Sequence, residues 1–402
     1  MHTRVVSAAI VPAVMLAACG GGSSNSNSLA SPTGVIEKPV TLNLYPNQSA
    51  SSVPRLTVMV TAVGSTTVNI PAVFDTGSAG VTLYAPNVFP SSMVTANGFV
   101  FAEGQTSLTY NGITVTNQQG TRTYGTTNLR RQSGNLGFAT LTFGDQSGQL
   151  TTAVIPVFFY YSITDVTTGQ IIDGAGSLQR GIFGVASTSG EIAVTGSAAP
   201  AGGFPACAAD TTGSCYTVSP LKYLQYGTGV NAGFKLAPAT IQTCVIGTAS
   251  DCTPEPILTI GLNAALESGF STLSLPCPPN GYVGPASIAG YPVCQKTTND
   301  VTIMLSGNAS GTITGGVVFD TGTANMQIAA PTGGSFPTTV PEGTSVLMTT
   351  PSGFTYNYTA AARDPLLTVV NSGFSGATII GIGYFTTNSF FIDFSSSTTG
   401  WQ

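Results

Sequence analysis

Apolar residues occur along this chain in short runs broken by Gly, Asn, Pro and Thr, and almost nowhere at the 3.6-residue spacing of an amphipathic helix. The runs "RLTVMVTAV", "TTVNIPAVF", "FATLTF", "TAVIPVFFYY", "PILTIGL", "VTIMLSG", "TITGGVVF" and "SFFIDF" are rich in β-branched and aromatic residues and are bounded by turn formers. Each predicts a strand. "TAVIPVFFYY" is apolar throughout, but it is about half the length of a membrane span and contains Pro156. A buried strand is the better reading. "SPLKYLQYG", with Ser219 as N-cap, is among the few segments that predict a short helix. The pattern predicts an all-β chain.

Two of the runs end alike. "VFDTGSAGVTLYAP" (73–86) aligns without a gap on "VFDTGTANMQIAAP" (318–331). The match covers Val-Phe-Asp-Thr-Gly, a Ser/Thr equivalence, Ala, a Leu/Ile equivalence and Ala-Pro. This internal repeat predicts two related β lobes, each carrying one Asp-Thr-Gly on a loop that leaves a buried strand. A duplicated structural turn would account for Asp, Thr and Gly as turn residues. It would not account for apolar flanks that carry an ionisable Asp into a poorly hydrated position.

Composition narrows the chemistry. A chain of 402 residues is long enough for a large bilobal unit, and only 7% of it is charged. Sixteen acidic residues face eleven basic ones, and the basic residues are scattered, so nothing here forms a footprint for nucleic acid. The single histidine is His2. With the leader removed, that excludes Ser-His-Asp and Cys-His mechanisms and histidine-ligated metal. No metal site and no cofactor are expected.

The start, "MHTRVVSAAIVPAVMLAACG", has a positive Arg4, an apolar stretch over 5–18 and small residues at its end. Leu16-Ala17-Ala18-Cys19 resembles the lipobox of bacterial lipoproteins. That resemblance implies a signal peptide over 1–19, lipidation of Cys19 and anchoring by its acyl chains in the bacterial cell envelope. Gly20 resembles the outer-membrane sorting signal, with a periplasmic or surface-facing body. An ordinary secretory signal with an incidental Cys19 is the alternative. The segment over 20–39, beginning "GGGSSNSNSLASPTG", reads as a flexible tether. The N-terminal β lobe is expected over 40–205 and the C-terminal β lobe over 206–402.

Six further cysteines, Cys207, Cys215, Cys244, Cys252, Cys277 and Cys294, all lie in the second half. An even number in an exported chain implies disulfides, with 15 possible connectivities. Local pairs (207–215, 244–252 and 277–294) are the simplest guess. Without a Cys-x-x-Cys, zinc or thioredoxin-like chemistry is not expected.

Taken together, Asp75-Thr76-Gly77-Ser78 and Asp320-Thr321-Gly322-Thr323 resemble the paired motifs of the pepsin-like aspartic proteases. Further elements follow in order. "TYGTT" contains Tyr124-Gly125, where that family has its flap tyrosine. Ile182-Phe183-Gly184 and Ile379-Ile380-Gly381 are similar to the segments that support the two aspartates, and "SFFIDF" is similar to the family's C-terminal pattern. The resemblance runs from about residue 40 to the end and implies a bilobal fold with the cleft between the lobes. It also implies an aspartic endopeptidase, a monomer acting on peptide or protein substrates. Asp75 and Asp320 would be catalytic. Gly77 and Gly322 would present N–H groups to the carboxylates. Ser78 and Thr323 would bind the outer carboxyl oxygens, and Thr76 and Thr321 would tie the two loops together. Tyr124 and Gly125 would close over the substrate. Two carboxyls so close share one proton, and the chemistry is expected to peak below about pH 6.

The chain departs from the family pattern at several points. Thr127 replaces a common flap glycine, and Ala79 and Ala324 replace more usual hydroxyl residues. The tryptophan that partners the flap tyrosine is missing, the only one being Trp401, and no pro-segment is evident. A catalytically silent pepsin-like module that binds carbohydrate, peptide or another protein is the alternative function. Such a module would be expected to lack an Asp or a supporting hydroxyl, and both are kept.

Overall fold

The apolar runs fold as strands because their alternating residues have a core to face. "RLTVMVTAV" forms the strand Arg55–Val63 and "TTVNIPAVF" continues to the end of Thr66–Asp75. "TAVIPVFFYY" becomes Ile155–Asp165, whose Val157, Phe158, Phe159 and Tyr160 are buried. "PILTIGL", "VTIMLSG", "TITGGVVF" and "SFFIDF" give Glu255–Leu262, Thr298–Ser306, Gly311–Phe319 and Phe390–Asp393. The computed structural model describes residues 34–48, 53–125, 129–172, 181–195, 208–209, 215–246, 252–282, 284–330, 336–372 and 376–402. Cys19 with its leader, the tether up to residue 33, Thr127 and Cys207 lie outside the described residues.

Two expectations change. "FATLTF" is not one strand: it is divided between Arg130–Ala139 and Leu141–Asp145. The chain switches partners at Thr140. The first strand pairs with Ile113–Tyr124 and Ile155–Asp165, the second with Arg55–Val63 and Gly148–Thr151. "SPLKYLQYG" closes only one tight turn, Pro220–Tyr223, capped as expected by Ser219, whose side chain accepts from the Leu221 N–H. The α-helix among the described residues is Ala264–Glu267, capped by Asn263. None there is long and apolar enough to cross a membrane.

Strands from the first half build one sheet system, and seven from the second half build another, running from Thr355–Thr359 at one edge to Thr368–Ser372 at the other. Between them lies a shared antiparallel layer. In it Val40–Gln48 pairs with Glu255–Leu262, which pairs with Asn231–Leu236, then Phe390–Asp393, Thr398–Trp401 and Ser271–Ser274. The boundary drawn at residue 205 therefore does not separate independent sheets. Val40–Gln48 also pairs with Arg55–Val63, which carries the layer into the first lobe. Ile36, within the stretch assigned to the tether, is already buried and bridges to Tyr226.

The core converges behind the two repeated motifs. Phe74 packs on Phe183 and Phe234, and Phe319 packs on Tyr384, Phe390 and Trp401. Each fully buried aromatic of this kind contributes about 1.5–3 kcal/mol. The single tryptophan thus backs the second motif. Disulfides join Cys244 to Cys252 and Cys277 to Cys294. Cys215 is also disulfide-bonded, and its expected partner Cys207 lies outside the described residues.

Candidate active site

Asp75 ends its strand, and Thr76-Gly77-Ser78 turn the chain into Ala79–Tyr84. The strand Gly181–Val185 threads between the two arms. It runs parallel to the first, with Gly184 opposite Asp75, and antiparallel to the second. The second half repeats this topology. Thr378–Ile380 lies parallel to Gly311–Phe319 and antiparallel to Met326–Ala330. Equivalent bonds close each loop onto its inserted segment, from Ala186 N–H to Ser78 O (2.8 Å) and from Ile382 N–H to Thr323 O (2.8 Å). The supports expected at Ile182-Phe183-Gly184 and Ile379-Ile380-Gly381 stand at these positions.

Cross-lobe bonds bring the two loops together. Thr76 Oγ1 donates to Phe319 O (2.7 Å) and accepts from Thr321 N–H (3.0 Å). Thr321 Oγ1 donates to Phe74 O and accepts from Thr76 N–H (3.1 Å). Both threonines are buried. Each hydroxyl therefore satisfies two backbone groups of the opposite lobe, immediately beside the aspartates.

The carboxyls have matching cradles. Asp75 Oδ1 accepts from Gly77 N–H (2.8 Å) and Ser78 N–H (3.1 Å), and its Oδ2 accepts from Ser78 Oγ (2.5 Å). Asp320 Oδ1 accepts from Gly322 N–H (2.7 Å) and its Oδ2 from Thr323 Oγ1 (2.7 Å). The glycines are needed for space. A β-carbon at Gly77 would stand 2.6 Å from Asp320 Oδ1, and one at Gly322 would stand 2.8 Å from Asp75 Oδ1. Each glycine is thus pressed against the carboxyl of the other lobe. Removal from water, the charge of Asp75 and a hydrogen bond with it push the Asp320 carboxyl up to about 7, against the opposing effect of Thr323 and Gly322. Asp75 and Asp320 thus stand as one close carboxyl pair, in which the Asp320 side keeps its proton well above the usual carboxylate range.

A cleft of about 820 Å³ opens over the pair and is lined by both motifs, Tyr124 and Gly125. Tyr124 ends the strand Ile113–Tyr124, on which Gly120, Arg122 and Tyr124 alternate with exposed neighbours. The Arg122 guanidinium stacks over the Tyr124 ring, 5.1 Å from its centroid. Burial pushes the Tyr124 hydroxyl up to about 12. Thr82 stands near enough to ease that shift, but both hydroxyls are buried outside hydrogen-bonding geometry. Arg122 was legible as a neighbour of Tyr124, since residues two apart on a strand share a face. Arg55 and Lys296 also line the cleft. Nothing in their local sequence marks them.

No protein-family model matches the chain, and no curated protein matches it in sequence. Among solved structures it is similar to the aspartic proteinase from Irpex lacteus, with a TM-score of 0.50 and 16% identity over 90% of this chain and 97% of that one. It is also similar to Basic 7S globulin from soybean, with a TM-score of 0.46 and 10% identity over 91% of this chain and 96% of that one. The first likeness, with the all-β content, gives the architecture: the chain has the bilobal pepsin-like aspartic proteinase fold.

Proposed function

We propose that the chain is an aspartic endopeptidase in which Asp75 and Asp320 act as one catalytic unit. The observation that carries this reading is the symmetric carboxyl pair, locked by reciprocal threonine bonds across the lobes at the floor of a cleft. A structural turn repeated by duplication would need neither the crossed bonds nor two glycines fitted to the opposing carboxyls.

The chemistry follows from the shared proton. With one proton between them, the pair carries a single negative charge. The ionised carboxylate accepts a proton from a water molecule between the two groups, and the resulting oxygen attacks the scissile carbonyl carbon. The protonated carboxyl donates to the carbonyl oxygen as negative charge develops there. Proton return to the amide nitrogen breaks the C–N bond and regenerates the pair. Backbone N–H groups of Gly77, Ser78 and Gly322 and the hydroxyls of Ser78 and Thr323 fix the orientation of each carboxyl, so little reorganisation is required.

Asp75→Asn and Asp320→Asn proteins test the reading, assayed on a denatured protein mixture from acid to neutral pH with and without pepstatin. Each substitution is expected to remove nearly all cleavage, and the double variant should be scarcely worse than either single one, because the residues act as a unit. Circular dichroism should match wild type. Wild-type turnover in either variant would return the chain to the binding-module reading.

A further inference from the structure

Eleven lysines and arginines are scattered through 402 residues, yet folding gathers four of them, Arg55, Arg122, Arg130 and Lys296, onto the lining of one cleft. The carboxyls on that lining are Asp75, Asp320 and Glu191, and the first two carry one charge between them when they share a proton. The lining is net positive in a chain whose formal net charge is −5. One cation would balance the pair and a second Glu191, which leaves two positive charges on the lining, with Asp364 near Arg55 and Asp165 opposite Arg130 to set against them.

The cations reach the cleft from three places, the start of one strand, one hairpin and the other lobe. Arg55 begins the strand Arg55–Val63, and its guanidinium donates to Pro54 O (2.9 Å), its one side-chain hydrogen bond among the described residues. Burial lowers its pKa while Asp320, Asp75 and Asp364 oppose that effect, and a guanidinium in these surroundings remains charged. Arg130 is exposed and lies opposite Tyr124 across the flap hairpin. Lys296 comes from the other lobe, two residues past the Cys277–Cys294 disulfide, and donates to Gly77 O (2.8 Å). An ammonium has three donors, so further capacity faces the cleft. Arg122 is only 6% exposed and donates through Nη2 to Ala79 O, while its Nη1 is buried without a hydrogen-bond partner. A buried charged donor left open is costly, and an anion held in the cleft offsets that cost.

The apolar part of the lining points the same way. Its side chains include Val53, Val73, Ile182 and Ile379, but no Phe, Leu, Met or Trp lines the cleft among the described residues. A carboxylate on the substrate would find planar guanidinium partners, the geometry that favours bidentate pairing.

We propose that this cleft selects acidic peptides, with Asp or Glu side chains beside the scissile bond held by Arg55, Arg130 and Lys296 in the field of Arg122. The proposal rests on the proteolytic reading above and names its substrate class.

The test compares three peptides that differ only at the residues flanking one scissile bond, carrying Glu, Gln or Lys. At about pH 6 the Glu side chains are ionised. The Glu peptide is expected to exceed the Gln peptide on the order of tenfold in kcat/KM, the size of one charge-assisted hydrogen bond, with the Lys peptide slowest. That ratio should shrink with added salt and fall toward unity in Arg55→Gln and Lys296→Gln proteins. The peptide ratio is read within wild type, so it stands even if a variant does not fold. Pepstatin-sensitive cleavage with equal rates for Glu and Gln would overturn the proposal and leave the proteolytic reading intact. If no peptide is cleaved, fluorescence polarisation with the same peptides decides. Tighter binding of the Glu peptide keeps the acidic-peptide cleft without the protease, and equal binding removes it.

Discussion

Thr76 and Thr321 stand 245 residues apart in sequence, and each hydroxyl serves backbone groups of the opposite lobe. Removing one hydroxyl leaves a buried N–H and a buried carbonyl unmatched, at about 1–3 kcal/mol for each group. Thr76→Ala is therefore expected to lower stability by about 2–4 kcal/mol together with the rate, whereas Thr76→Ser should cost far less. Urea unfolding of the three proteins checks this, and a Thr76→Ala midpoint equal to wild type would mean that the crossed bonds carry no weight. The residues of the pair were legible in sequence because each motif is contiguous and occurs twice. Arg55 and Lys296 were not. One opens an ordinary apolar strand and the other follows a cysteine, and only tertiary structure turns both toward the carboxyls.

At the scale of elements, the inserted strands decide where each aspartate stands. Gly184 and Gly381 lie where these strands press on the loops. A β-carbon at Gly184 would come within 2.8 Å of Ser78 O, and one at Gly381 within 2.8 Å of Thr323 O. Gly381→Ala should push the Asp320 loop aside and lower kcat/KM about a hundredfold, the loss expected from a misplacement near 1 Å. A wild-type rate in a folded Gly381→Ala protein would show that the strand does not position the loop. Strand identity was readable from β-branched and aromatic runs, since those residues fit a pleated, half-buried surface. Partnering was not. "FATLTF" looks continuous, yet it changes neighbours at Thr140, because pairing depends on strands far away in the chain.

At the scale of the whole molecule, the shared proton links chemistry to stability. The folded state holds Asp320 up to about 7, above its ordinary value of 3.8. Between those values the native protein binds a proton that the unfolded chain releases, so this group's contribution to stability is full below pH 3.8 and is lost as pH rises through about 7. Wild-type Tm should fall over that interval, and Asp320→Asn should flatten the slope. An unchanged slope would assign the pH dependence to other groups. On the proteolytic reading, the same shift should let the alkaline limb of activity run toward about 7, with the peak still expected below about pH 6.

On the proteolytic reading, the shared layer would also set when the molecule becomes competent. Val40–Gln48 can pair early with Arg55–Val63, but its place in the layer is filled only when Glu255–Leu262 joins it, and the layer closes only when Phe390–Asp393 and Thr398–Trp401 are added. Either half of the chain carries one carboxyl of the pair, and alone that carboxyl has no partner with which to divide a proton. A nascent or fragmentary chain would therefore be expected, on the same reading, to cleave nothing. If the pair is proteolytic as proposed, its latency before folding would follow from the order in which the strands can meet.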